Sequence, residues 1–126
     1  MTSIRVLVID DEKDFADQLM NYFKMLGYEV FVAYSGEDGL DILRKEKPEV
    51  LLCDLKMQGA LHGDDVLTHL KSISPKTIPI MITAFKDEAT KKKLTEKGAT
   101  RVLFKPVQLS DLEDLLEGIE EDIIDG

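Results

Sequence analysis

Asp10 and Asp11 end the apolar run of "VLVIDDEKDF", with Glu12 immediately behind them, and three more polar residues close apolar runs downstream: Asp54, Thr83 and Lys105. Adjacent carboxylates repel and resist ionising together, so such a pair implies a bound cation, a shared proton or open water. Carboxylate oxygens without clustered His or Cys are hard ligands. They favour Mg2+, which takes one or two carboxylates, keeps several waters and accepts phosphate oxygens. Lys105 offers a point positive charge, and Pro106 behind it disfavours helical geometry, leaving it in an extended segment. Thr83 adds a hydroxyl donor. Together the set has what a phosphoryl group with a divalent metal requires. Singly each has a duller explanation, since Asp caps helices and Thr and Lys commonly end strands. The chemistry therefore depends on a fold that gathers these positions.

Short runs rich in Val, Ile and Leu recur at "IRVLVI", "EVFVA", "EVLLC", "IPIMIT" and "RVLF". Most do not alternate with polar residues, which suits strands covered on both faces. Between them lie helical spacings: Phe15, Leu19, Tyr22 or Phe23 and Leu26; Leu40 and Leu43; Val66, Leu70 and Ile73. Ser35 with Asp38 and Ser110 with Glu113 read as helix starts, Gly27 and Gly98 as C-terminal caps, and Pro48 and Pro75 as stops. A fourth helix over 86–97 has only Ala89 and Leu94 as an apolar stripe and is expected to be the most mobile. The fifth has Leu112, Leu115, Leu116, Ile119 and Ile123. Five β-α units with short connections predict an α/β fold, a doubly wound five-stranded parallel sheet with helices on both faces. Ligands in such sheets bind at the carboxyl ends of the strands, where Asp10, Asp11, Asp54, Thr83 and Lys105 fall.

The 126 residues, 44% hydrophobic and 33% charged, predict a single domain over 1–126 with a real core. A net charge of −9 argues against nucleic-acid binding by this chain, because phosphate backbones are held by Lys and Arg. The basic run Lys91 to Lys93 reads as a solvated helix face. The apolar runs are too short to span a bilayer, and the N-terminus lacks signal-peptide regions, so a cytoplasmic, membrane-free protein is expected. Cys53 reads as a small buried hydrophobe.

The segments "VIDDEKDF", "LLCDLKM", "MITAF" and "FKP" resemble the four signature segments of response-regulator receiver domains of two-component signalling. The resemblance covers essentially the whole chain. It implies the flavodoxin-like strand order 2-1-3-4-5, the order that general fold rules already cite for the chemotaxis receiver. It further implies Asp54 as the phosphoacceptor, becoming 4-aspartylphosphate, and Mg2+ held by Asp10, Asp11, Asp54 and the backbone carbonyl of Lys56. Thr83 and Lys105 would contact phosphoryl oxygens, and the Lys105–Pro106 peptide would be cis. The implied donor is a sensor histidine kinase or histidine phosphotransfer protein. The domain would be no enzyme in the ordinary sense, though it supports its own phosphorylation and dephosphorylation. One to three new charge-assisted hydrogen bonds at about 1.5–3 kcal/mol each approach the ~5.5 kcal/mol that inverts a 1:99 equilibrium, so a two-state switch is energetically reasonable. Output would pass to a linked domain or a partner protein, and oligomers would form through the fourth helix, fifth strand and fifth helix. Residues 119–126, with Ile123 and Ile124, either pack on the domain or begin a linker helix to an output domain.

Three features depart from that pattern. Val102 stands where the family usually has an aromatic residue, with Phe104 at the same strand parity. Gln58 stands where proline is common, and one extra residue precedes Gly63. His62 and His69 are expected to be solvent-exposed. The alternative is a Mg2+-dependent phosphatase-like enzyme with an aspartyl nucleophile, but neither Asp10 nor Asp54 has an Asp two positions later. A flavin carrier of the same topology is disfavoured because "DDEKD" would repel a phosphate.

Overall fold

A computed structural model describes residues 4–125, with side chains through Ile123; the expectation on Ile124 packing falls outside the described residues. Five strands alternate with five helices. The order is β1 (Arg5–Ile9), α1 (Lys13–Met25), β2 (Glu29–Ala33), α2 (Gly36–Glu46), β3 (Val50–Asp54), α3 (Gly63–Ile73), β4 (Ile78–Thr83), α4 (Glu88–Glu96), β5 (Arg101–Phe104) and α5 (Leu109–Asp125). All pairings are parallel, in the order β2-β1-β3-β4-β5.

The unbroken apolar runs follow from two separate cores. Alternate residues of a strand point to opposite faces. Val6 and Val8, Val50 and Leu52, and Ile80 and Ile82 therefore meet Leu19 and Phe23 of α1 and Leu112 and Leu116 of α5. Leu7 and Ile9, Leu51 and Cys53, and Met81 face the other way, onto Leu40 and Leu43 of α2, Val66 and Leu70 of α3, and Leu94 of α4. Each inner strand must be apolar at every position because neither face meets water. Cys53 is a buried free thiol, as its apolar neighbours predict.

The helix boundaries mostly follow the local punctuation. Ser35 Oγ accepts from the Asp38 N–H at 3.1 Å and starts α2. Gly27 and Gly98 take the positive φ that closes α1 and α4. Two boundaries differ from expectation. Helix α5 begins at Leu109, with the Gln108 carbonyl accepting from Asp111 and Leu112, so Ser110 lies inside the first turn and is not its cap. Packing of Val107 and Leu109 on the α1/α5 core sets that phase, which outweighs a weak capping preference. Helix α4 is shorter than 86–97, capped by Asp87 accepting from Thr90 at 2.7 Å. Its Ala89 is exposed, leaving Leu94 as the one buried residue of that helix.

At the opposite end of the sheet, Arg5 ties β1 to the α2–β3 connection. Its backbone N–H and guanidinium donate to Glu49, and the guanidinium also reaches the carbonyls of Glu46 and Lys47. No helix among the described residues is long and apolar enough to cross a membrane.

Candidate functional site

Parallel register brings the carboxyl ends of β1, β3, β4 and β5 to one rim. Pairing of Ile9 with Cys53, Asp54 with Ile82, and Thr83 with Phe104 aligns the residues that end each strand. Asp10 and Asp54 are only 2% and 7% exposed, unusual burial for carboxylates. Lys105 Nζ reaches into the same cleft, 3.1 Å from Asp10 Oδ2, 2.8 Å from Glu12 Oε1 and 3.8 Å from Asp54 Oδ1. Its ammonium also lies 4.7 Å from the centre of the Phe15 ring, whose face favours a cation. The Lys105–Pro106 peptide is cis.

Asp10 Oδ1 accepts from the Glu12 N–H at 2.9 Å, and Asp54 Oδ1 accepts from the Leu55 N–H at 3.0 Å. Burial pushes the Asp54 carboxyl up to about 7, with the Asp10 charge adding to it and Lys105 opposing. Burial likewise raises Asp10, against the hydrogen bond from Glu12 and the pull of Lys105. Burial alone would lower Lys105, but its hydrogen bond to Glu12 and the charges of Asp10 and Asp54 leave it raised.

The structure gathers Asp10, Asp54 and Lys105 and adds Glu12. Ligand oxygens of Asp10, Glu12 and Asp54 all lie within 4.8 Å of one another. The sequence reading noticed Glu12 but gave it no place in the site; its adjacency to the acid pair at the start of α1 was the available signal. Asp11 points instead at the β3–α3 loop, where its Oδ2 accepts from the Gln58 N–H at 2.9 Å. A proline there would have no N–H to give, so the departure at Gln58 creates this contact.

Thr83 is 1% exposed and its Oγ1 accepts from the Phe85 N–H at 3.1 Å. Its strand partner is Phe104, so an aromatic residue stands beside Thr83 despite Val102, which packs half-buried on the α2/α3 core. Phe85 is 44% exposed, with Lys56 Nζ 5.7 Å from its ring centre. His62 is not solvent-exposed as expected. It is half-buried at the start of α3, where the loop turns back so that its Nδ1 accepts from the Met57 N–H. His69 is exposed.

The residues fit a divalent cation. Three hard carboxylates face one ammonium, and two of them are buried with raised proton affinity, a charge imbalance that a dication offsets.

A family model for the response regulator receiver domain matches residues 6–117, which takes in every site residue from Asp10 to Lys105. The transcriptional regulatory protein ZraR of Salmonella typhimurium (strain LT2) is 35% identical over 115 residues, 90% of this chain but only 26% of that protein. The chain thus spans about a quarter of that relative's length. Sporulation initiation phosphotransferase F of Bacillus subtilis (strain 168) is 29% identical over 117 residues, 93% of this chain and 94% of the relative. A CheY-like response regulator receiver domain protein from Methanospirillum hungatei JF-1 has a solved structure that matches with a TM-score of 0.88 at 27% identity, over 98% of each chain. Receiver domains bind Mg2+ at an acidic pocket, and the Asp10, Glu12 and Asp54 cluster fits one. The match in sequence and in fold has one reading: the chain belongs to the response regulator receiver domain family, a signalling module of two-component systems.

Proposed function

We propose that this domain accepts a phosphoryl group on Asp54 from the phosphohistidine of a sensor histidine kinase or histidine phosphotransfer protein. The observation that carries this reading is the cleft in which one ammonium, Lys105, faces the carboxylates of Asp10, Glu12 and Asp54. Asp10, Asp11, Asp54 and the Lys56 carbonyl would hold Mg2+, which when bound supplies positive charge against the anionic phosphoryl oxygens. An Asp54 carboxylate oxygen attacks phosphorus in line, the phosphorus–nitrogen bond breaks, and the histidine ring departs as a neutral imidazole after taking up a proton. Lys105 stabilises charge building on the phosphoryl oxygens. Thr83 turns its hydroxyl toward the new group, giving up its contact with the Phe85 N–H. The added charge then shifts the segment after β4, and the response passes to an output domain or a partner protein.

Incubation with acetyl phosphate and Mg2+ tests the site. Intact-mass spectrometry is expected to show one added phosphoryl group, absent in Asp54→Asn and suppressed by chelator. Undiminished labelling of that variant would overturn the assignment.

A further inference from the structure

The turn between β3 and α3 is closed by a series of backbone amides. The Gly63 N–H donates to the Leu55 carbonyl at 2.8 Å and shuts its base. A Cβ on Gly63 would lie 2.2 Å from the Asp54 carbonyl oxygen, so the turn is pressed against the backbone of Asp54 itself. Within the turn, the Met57 N–H donates to His62 Nδ1 at 3.2 Å, and the next amide, Gln58, donates to Asp11 Oδ2 at 2.9 Å. The His62 N–H donates to Asp65 Oδ2 at 3.0 Å, anchoring the residue at the start of α3. Leu61 lies so close to Gly36 that a Cβ there would be 2.8 Å from its own Cβ.

We infer that His62 is a positioning residue for the metal pocket: its Nδ1 holds the Met57 N–H, which shares one planar peptide with the Lys56 carbonyl and so sets where that carbonyl points. The inference rests on the reading of Asp10, Asp11, Asp54 and the Lys56 carbonyl as the Mg2+ pocket. In this arrangement Nδ1 serves as the acceptor. The loop needs such a strut because Gly59, at φ +97°, follows two residues after Met57 and gives the backbone wide freedom. Without the His62 acceptor the Met57 amide loses its ordered partner, and the Lys56 carbonyl must be oriented at the cost of binding. An acceptor at the δ position is required. Asn supplies one, whereas Gln carries its amide one methylene further out.

The test compares wild type with His62→Ala, His62→Asn and His62→Gln. It uses amide exchange of the metal-free proteins and calorimetric titration with Mg2+. Ala and Gln are expected to speed exchange at Met57 relative to β3 amides, and to weaken Mg2+ binding about tenfold, a usual cost of losing support behind a ligand. Asn is expected to keep both close to wild type. Wild-type Mg2+ affinity in the Ala and Gln variants, or loss in Asn equal to that in Gln, would overturn the role of His62 alone. Should His62→Ala fail to fold, the Asn and Gln pair decides. A wild type that takes up no Mg2+ would overturn the pocket reading and this inference with it.

Discussion

Replacing Asp54 by Asn should make the metal-free domain more stable, and increasingly so as pH rises. The carboxyl is raised from 3.8 to about 7, chiefly by burial and then by the Asp10 charge. A group whose folded pKa lies above its unfolded value binds its proton more tightly in the folded state. Its favourable contribution is therefore complete below the unfolded pKa and is lost as pH climbs through the folded one. At ~1.36 kcal/mol per unit, a rise from 3.8 to about 7 corresponds to about 4 kcal/mol. The cleft opens at the rim, and solvent screening reduces that to about 2 kcal/mol. Asn keeps the size of the side chain and an Oδ1 acceptor for the Leu55 N–H, which leaves the charge as the main change. Urea unfolding in chelator at pH 8 should show the variant more stable by about 2 kcal/mol, a midpoint shift of about 1 M at ordinary denaturant slopes. By pH 5.5 the gap should shrink by about 1 kcal/mol as the wild type regains its proton. Mg2+ at ten times its dissociation constant should return about 1.4 kcal/mol to the wild type and little to the variant. A variant no more stable than wild type at pH 8, or a gap flat with pH, would refute the electrostatic account of the cleft.

Binding of beryllofluoride at Asp54 should change hydrogen exchange over about residues 84–97 and leave 100–104 flat. Helix α4 rests on the sheet through Leu94 and is tied to α3 by Lys93 and Lys97 at 3.5 and 3.7 Å from Asp64, a light attachment. A change centred on 102–104 with α4 silent would overturn this. A mobility-shift assay at near-physiological salt should show no specific DNA binding by this chain, phosphorylated or not, since its net charge is −9; submicromolar specific binding would contradict it. Arg5→Ala should cost about 1–2 kcal/mol at pH 7 by urea unfolding, because it removes the guanidinium that donates to Glu49 and to two carbonyls and leaves Glu49 only the backbone N–H. Although burial raises Glu49, its hydrogen bonds to Arg5 leave it lowered, so that contribution is present above the ordinary carboxylate range and fades as pH falls through the folded value.

Where the strands and helices run was legible in the sequence, because period and punctuation are local properties of the backbone. The runs around Val6, Leu51 and Ile80 are apolar at every position, which only a strand covered on both sides requires. That pattern also put Asp10, Asp54, Thr83 and Lys105 at strand ends. Partner choice was not local. Glu12 and Asp11 are neighbours of Asp10, yet Glu12 turns to Lys105, 93 residues away, and Asp11 to Gln58, 47 residues away. His62 reads as an exposed loop residue until the loop folds back and gives its ring the Met57 amide. Phe104 became the neighbour of Thr83 only through the register of β4 and β5. The start of α5 followed the packing of Leu109 in place of the cap at Ser110. In each case the deciding energy is a contact between segments distant in the chain, set by strand register and loop conformation, and the tertiary fold alone specifies those.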